Sequence, residues 1–215
     1  SLESRQLVDM ASRSGLAAGV NYNCRYYPLV QETRARIAKG DFGEILHVTG
    51  SYAQDWLLFD TDFNWRVLAN EGGELRAVAD IGTHWLDLIQ FVLQRAVTAV
   101  CADLLTVHPV RHPRQGGSET FSGTGDRPGG ARAVSGVPVT TDDYGAMLLE
   151  FEGGVRGCAF VSQVTAGRKN CLRFEIAGAR QSAAWNSESS EQLWLGRRSE
   201  ENALLIRDPA LLAES

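Results

Sequence analysis

The sequence reads as an α+β domain, an open and mainly antiparallel β-sheet with helices packed on one face. Helix-patterned segments come early in the chain, and from Val139 onward the pattern changes to short strands joined by short connections. Composition agrees: 215 residues, 44% hydrophobic and 22% charged, can bury a sizeable core in one domain with room for a small appendage.

The elements follow in order. In residues 1–20, Leu2, Leu7, Met10 and Ala11 recur at roughly helical spacing, Gly15 is a stop signal, and Leu16 to Val20 reads extended. Pro28 suits the first turn of a helix running through Lys39, with Leu29, Thr33, Arg36 and Ile37 near one side and Gly40 as the terminator. Glu44 to Asp55, rich in Ile, Leu, Val, Thr and Tyr, predicts a strand, and residues 56–75 look irregular. A second helix carries Asp80 and continues past Leu88; Ala96 to Val107 reads as the next strand.

Residues 108–138 are dense in Gly, Ser, Pro, Thr and Arg, and their apolar residues have no period, which predicts a long excursion between strands. Tyr144 to Phe151 and Val155 to Val164 then form a hairpin about Gly153-Gly154. Cys171 to Ala177, Ala183 to Asn186 and Gln192 to Leu195 continue the sheet.

Charge and composition exclude several function classes. A net charge of −5, with no basic patch interleaved with aromatics, argues against a nucleic-acid partner. No run of eighteen apolar residues and no N-terminal signal pattern occur, so no membrane association and a cytoplasmic location are expected. Cys24, Cys101, Cys158 and Cys171 contain no Cys-x-x-Cys pair, which argues against a zinc knuckle or a disulfide framework; Cys158 and Cys171 are expected to face each other across a hairpin. His108 and His112 stand four apart, but Pro109 and Pro113 oppose the helix that would make them a metal pair, so no metal site is expected.

The chemistry concentrates in Asp80-Ile81-Gly82-Thr83-His84-Trp85-Leu86-Asp87-Leu88. At about 100° per residue, His84 lies roughly 40° from Asp80, and Asp87 roughly 20° to the other side, so the three form one polar stripe. Val78, Ile81, Trp85, Leu86, Leu88, Ile89, Val92 and Leu93 cover much of the remaining circumference, which buries the helix and leaves the stripe to line a cleft. A carboxylate beside an imidazole can move protons; it can equally be a structural hydrogen bond.

Taken with its surroundings, this stretch becomes specific. Asn21-Tyr22-Asn23-Cys24-Arg25-Tyr26-Tyr27-Pro28, Gly40-Asp41-Phe42-Gly43-Glu44-Ile45, Trp65-Arg66, Gly72-Gly73 and the Asp-x-Gly-x-His stretch stand in the order of a known domain. Later signposts are Asp142-Asp143, Phe151-Glu152-Gly153-Gly154, and Gly167 to Gly178. From about residue 1 to about residue 195 the sequence resembles the C-terminal domain of the Gfo/Idh/MocA family of NAD(P)-dependent oxidoreductases. The resemblance implies a dihydrodipicolinate-reductase-like C-terminal fold, whose open sheet face commonly buries against another subunit, hence a homo-oligomer.

The sequence also departs from the family pattern. It has neither the Gly-x-Gly-x-x-Gly of the N-terminal Rossmann domain nor the Glu-Lys-Pro motif that carries the catalytic lysine; its only lysines are Lys39 and Lys169. Residues 1–20 resemble the last Rossmann helix and strand, and residues 21–215 the substrate-binding and oligomerisation domain. The expectation is a fragment, or a domain expressed alone, that is inactive by itself. NAD or NADP is expected in the full-length protein and no cofactor for this chain alone.

The resemblance assigns roles residue by residue. His84 matches the family's catalytic histidine, and Asp80 its acidic partner, which could orient the imidazole, bind a sugar hydroxyl, or simply sit at a helix N-terminus. Asp87 could contact substrate or make a structural bond behind the site. Arg25 could contact substrate or cofactor, or pair with a carboxylate. Trp65 and Arg66 suit a polyhydroxylated substrate but equally core packing and a surface ion pair; Lys169 and Asn170 are further substrate contacts. The expected activity is oxidation of a sugar, polyol or related secondary alcohol. The alternatives are a non-enzymatic sugar- or protein-binding module and metal-assisted chemistry at Asp80, His84 and Asp87.

Overall fold

The computed structural model describes residues 2–113 and 135–210. Its centre is one sheet of eight strands in the order β10-β9-β8-β7-β1-β6-β5-β2. The helices are α1 (Leu2–Ser14), α2 (Pro28–Ala38), the short α3 (Ala69–Gly72) and α4 (Thr83–Leu93). The strands are β1 (Ile45–Ala53), β2 (Val97–Leu105), β3 (Val110–Arg111), β4 (Val137–Pro138), β5 (Tyr144–Phe151), β6 (Arg156–Ser162), β7 (Cys171–Gly178), β8 (Ser182–Asn186), β9 (Gln192–Gly196) and β10 (Ala203–Ile206).

Pairing within the large sheet is antiparallel except for β1 against β6, which run parallel. The strands show why one face is buried. Along β7, Leu172, Phe174 and Ile176 are buried while Arg173 and Glu175 are exposed, the period of two that puts one set of side chains on each face. The buried set meets α2 and α4 in a core that includes Leu29, Val30, Trp85, Leu88, Ile89, Phe174 and Trp185. α2 and α4 thus cover one face, as the predicted α+β architecture requires.

Other features depart from expectation. Leu16 to Val20 lies in no strand of the described sheet; the Val20 carbonyl accepts from the Tyr22 amide at 2.8 Å and the Leu16 amide donates to Ser14 Oγ at 3.1 Å. Cys158 and Cys171 do not face each other across a hairpin, because β6 and β7 flank β1 on opposite sides; Cys158 stands opposite Thr49 and Cys171 opposite Ala53. Most of the predicted 108–138 excursion, residues 114–134, lies outside the described residues, while its two ends pair as β3 and β4. The hairpin between β5 and β6 turns on Gly153 and Gly154, both at positive φ where a side chain would be strained.

At the sheet centre Gly50 makes room for the helix layer. The Trp85 indole Nε1 donates to the Arg173 carbonyl at 2.9 Å, passing directly over Gly50. A Cβ at residue 50 would overlap both the Arg173 carbonyl oxygen and the indole. Gly50→Ala is therefore expected to push α4 off the sheet and destabilise the chain by about 1–3 kcal/mol, read as a lower urea midpoint.

Candidate functional site

The Asp80 segment is not a regular α-helix at its start. Val78–Gly82 forms a wide π-helical turn that runs into α4, a geometry often found at functional sites. Two buried acids from the segment before β5 hold this start in place. Asp142 accepts from the backbone amides of Arg76 (2.7 Å) and Val78 (2.9 Å), acting as an N-terminal cap supplied from across the chain. Asp143 pairs with Arg76 and, at 2.6 Å, with Arg111, all three side chains being fully buried. It also accepts from the amides of Val107 (2.8 Å) and His108 (3.1 Å). Arg111 in turn donates to the carbonyls of Leu57, Phe59 and Asp62, tying the 57–62 loop to the same knot.

Burial alone would raise the Asp143 carboxyl, but Arg76, the His108 amide and Arg111 together hold it below the usual carboxylate range. Burial is also the largest influence on Arg76, pulling its guanidinium downward against the attraction of Asp143.

His84 sits on the half-buried face of α4, between two tyrosines that meet it edge-on. Tyr22, from the chain entering α2, has its ring centre 5.1 Å from the imidazole at 87°, and Tyr52, near the end of β1, lies 6.3 Å away at 88°. The His84 Nδ1 is buried and has no hydrogen-bond partner among the described residues. Ring packing, and not a carboxylate bond, therefore orients this imidazole.

Around it stands a set of amide and carboxylate groups. Asp80 does not bond His84; its Oδ2 accepts from the Gln163 amide at 2.8 Å. The Tyr52 hydroxyl donates to Asn170 Oδ1 at 2.6 Å, and Gln54 Nε2 donates to the same oxygen at 2.8 Å. Burial, with added influence from Cys24 and Asp80, pushes the Tyr52 phenol well above its usual range, so it remains a hydroxyl donor at any working pH. Among the described residues nothing bonds the Asn170 Nδ2 hydrogens or the Asp80 Oδ1, so both can meet a ligand's hydroxyls.

Asp87 and Arg25 serve each other. Arg25 forks onto Asp87, its Nε donating at 2.6 Å and its Nη2 to the second oxygen, and stacks over Phe91 with its guanidinium carbon 4.9 Å from the ring centre. This clamp pins the Asn23–Tyr26 turn, and with it Tyr22, to α4. Trp65 and Arg66 stack on each other at 4.6 Å, and no hydrogen bond, ion pair or ring contact among the described residues links them to the His84 group. Lys169 pairs with Asp55 at 2.6 Å on the surface, while its neighbour Asn170 reaches the Tyr52 hydroxyl. Sequence reasoning misses Tyr22 and Gln163 as members of the group. Tyr22 stands among several tyrosines of one segment, and a glutamine following a strand carries no spacing signal. Among the described residues no group of three or more His, Cys, Asp or Glu could hold a metal ion.

A second feature lies on the other side of the sheet. The face without helices forms a concavity of about 860 Å³ lined by Thr49, Ser51, Tyr144, Phe160, Arg173 and Trp194, among others. It does not include His84 or Asp80. Its lining also carries Asp103, Glu175, Cys101 and Cys158, but no histidine.

Residues 30–184 match the family model described as the GFO/IDH/MocA C-terminal domain. The chain belongs to the Gfo/Idh/MocA family. Within the family, the uncharacterized oxidoreductase YfiI of Bacillus subtilis is 22% identical over 213 residues, covering 96% of this chain and 48% of YfiI. Glucose-6-phosphate 3-dehydrogenase of Bacillus subtilis is 26% identical over 95 residues, 44% of this chain and 27% of that protein. The apo form of levoglucosan dehydrogenase superposes with a TM-score of 0.85 at 26% identity, covering 97% of this chain and 53% of the enzyme. An inositol dehydrogenase homolog from Azotobacter vinelandii, solved with NAD+, shares the fold at a TM-score of 0.79 and 23% identity, covering 99% of this chain and 49% of its own. This Gfo/Idh/MocA chain thus spans about half the length of YfiI and of these two solved structures.

The buried charge knot that positions the Asp80 turn is open to test. Asp143→Asn leaves Arg76 and Arg111 facing a neutral group and is expected to cost about 3–5 kcal/mol in urea denaturation. Because the folded Asp143 carboxyl lies below its unfolded value, its contribution is present above about pH 4 and disappears as pH falls through the folded value. The wild-type chain should therefore lose stability on acidification more steeply than Asp143→Asn.

Proposed function

We propose that this chain is the substrate-binding and subunit-contact domain of an NAD(P)-dependent oxidoreductase acting on a sugar, polyol or related secondary alcohol. The observation that carries it is the placement of His84: an imidazole held edge-on by Tyr22 and Tyr52, with Asp80, Asn170, Gln54 and Gln163 supplying hydrogen-bonding groups nearby. Membership of the family and the dehydrogenases among its structural neighbours support the reading.

In this reading His84 acts as general base and takes the proton of the hydroxyl being oxidised. Asp80 and Asn170 hold neighbouring hydroxyls of the substrate, and Tyr52, kept protonated, fixes Asn170. Asp87 acts through Arg25, holding the turn that carries Tyr22. Trp65, Arg66 and Lys169 are outer contacts, engaged only by a substrate that extends beyond the His84 group. NAD or NADP is the hydride acceptor of the whole protein. This sequence contains no Gly-x-Gly-x-x-Gly motif for its phosphates, so no step through the dinucleotide is assigned to these residues.

Residues 1–20 are read as the close of a nucleotide-binding unit, supported by α1, which buries none of its side chains and exposes Leu2, Leu7, Val8 and Met10. Residues 21–215 are the substrate and contact domain. The helix-free sheet face is assigned to a second copy of the chain, and the cytoplasm is the expected location; no helix among the described residues is long and apolar enough to cross a membrane.

The test uses the protein as its source cell makes it, captured with an antibody against this chain and assayed for NAD+ and NADP+ reduction with cyclic and linear polyols. Turnover is expected with at least one of them, and His84→Ala is expected to lower kcat by about 100-fold or more with a smaller change in KM. A captured product of 23.5 kDa that binds a polyol without any nicotinamide reduction would overturn the oxidoreductase reading in favour of a binding module.

A further inference from the structure

The helix-free face of the sheet is apolar at its flanks and charged at its middle. On one side it exposes Leu105, Leu148 and Cys158, and on the other Leu204 and Ile206. Between them runs β7, fourth of the eight strands and hydrogen-bonded to β1, so that the pair forms the centre line. There Arg173 and Glu175 stand two residues apart on the exposed face. Among the described residues the Arg173 guanidinium donates to Ser51 Oγ at 3.3 Å through its Nε and Nη2, and neither Arg173 nor Glu175 has an ion pair.

Resting on the assignment of this face to a second copy, we infer that Arg173 of one protomer pairs with Glu175 of its partner, twice about a two-fold axis, and that this pair fixes the register of the two sheets. A two-fold axis lying between two sheets and perpendicular to β7 reverses the strand, so the residue on one side of the axis meets the residue on the other. With the axis midway between residues 173 and 175, each arginine faces a glutamate. An axis parallel to β7 would instead set arginine on arginine. Charge complementarity selects the first arrangement, and like charges brought together at a desolvated centre oppose the second.

The surface is large enough for the role. Eight strands about 4.8 Å apart and about six residues long cover on the order of 34 by 20 Å, roughly 700 Å². Standard interfaces take roughly 600–1,000 Å² from each partner. Apolar contact at Leu148 and Leu204 would supply the attraction, and the central pair would choose among the registers in which two such faces can meet.

The experiment is sedimentation equilibrium of the chain as wild type, Arg173→Glu, Glu175→Arg, the double exchange, and an equimolar mixture of the two single variants, with circular dichroism as the check on folding. Wild type is expected to self-associate. Each single variant sets two like-charge contacts in its own homodimer, so its dissociation constant should rise by about tenfold or more. In the mixture, the carboxylate introduced at position 173 of one variant meets the guanidinium introduced at position 175 of the other. The native arginine and glutamate meet at the second contact, so association should return; the double exchange should recover likewise. A self-associating wild type whose constant neither single variant changes overturns the pair and leaves the interface standing. A wild type that is monomeric at high micromolar concentration overturns the interface, and the pair with it.

Discussion

The interaction on which the site depends is the buried knot of Arg76, Arg111, Asp142 and Asp143. Two positive and two negative side chains are removed from water together, which is tolerable only because they neutralise one another and because backbone amides and carbonyls take most of the remaining bonds. The members come from three separate parts of the chain. Arg76 precedes the Asp80 turn, Asp142 and Asp143 lead into β5, and Arg111 lies in β3 at the near end of the long excursion. A knot of this kind contributes little net stability relative to an apolar core, but it admits one arrangement of the three segments. The width of the turn at Val78–Gly82, and so the position of Asp80 relative to His84, follows from where Asp142 holds the amides of Arg76 and Val78.

His84 is then placed by a different kind of force. A metal-type or triad-type histidine takes its orientation from a hydrogen bond at the second ring nitrogen. Here Nδ1 is buried without such a bond among the described residues, and the imidazole is wedged between Tyr22 and Tyr52. The wedge is itself braced: Arg25 grips Asp87, which keeps the Tyr22 segment against α4, and Asn170 grips the Tyr52 hydroxyl, which keeps the end of β1 against the 169–170 turn. Charged and polar residues flanking the site act mainly on the two rings. That separation leaves Asp80 and Asn170 with bonding capacity for a ligand.

The parts of this arrangement that were legible in the sequence are those governed by local period. Leu172, Phe174 and Ile176 against Arg173 and Glu175 state the strand and its two faces, and Ile81, Trp85, Leu88, Ile89 and Val92 state the buried face of the second helix. The motif around His84, read with its surroundings, named the family. The π-helical turn was not legible, because it arises from Asp142, sixty-four residues from Val78 in sequence, and not from any residue type within the turn. The parallel pairing of β1 with β6 is not legible for the same reason. Each strand predicts itself, but which strand lies beside it is settled by packing over the whole sheet, and the mistaken Cys158–Cys171 facing followed from assuming that neighbours in sequence are neighbours in the sheet.

One residue joins the two faces of the molecule. Gly50 has no side chain to hold the sheet and the helix layer apart, so Trp85, one residue after His84, reaches across β1 and donates to the carbonyl of Arg173. The Arg173 side chain projects from the same strand onto the opposite face, where it lines the concavity. The helix that carries His84 and the centre of the helix-free face are therefore separated by a single backbone peptide. A packed interior transmits displacement instead of absorbing it. A partner that drew on Arg173 would act on the strand to which the His84 helix is anchored, so such a contact and the placement of His84 would share one mechanical element.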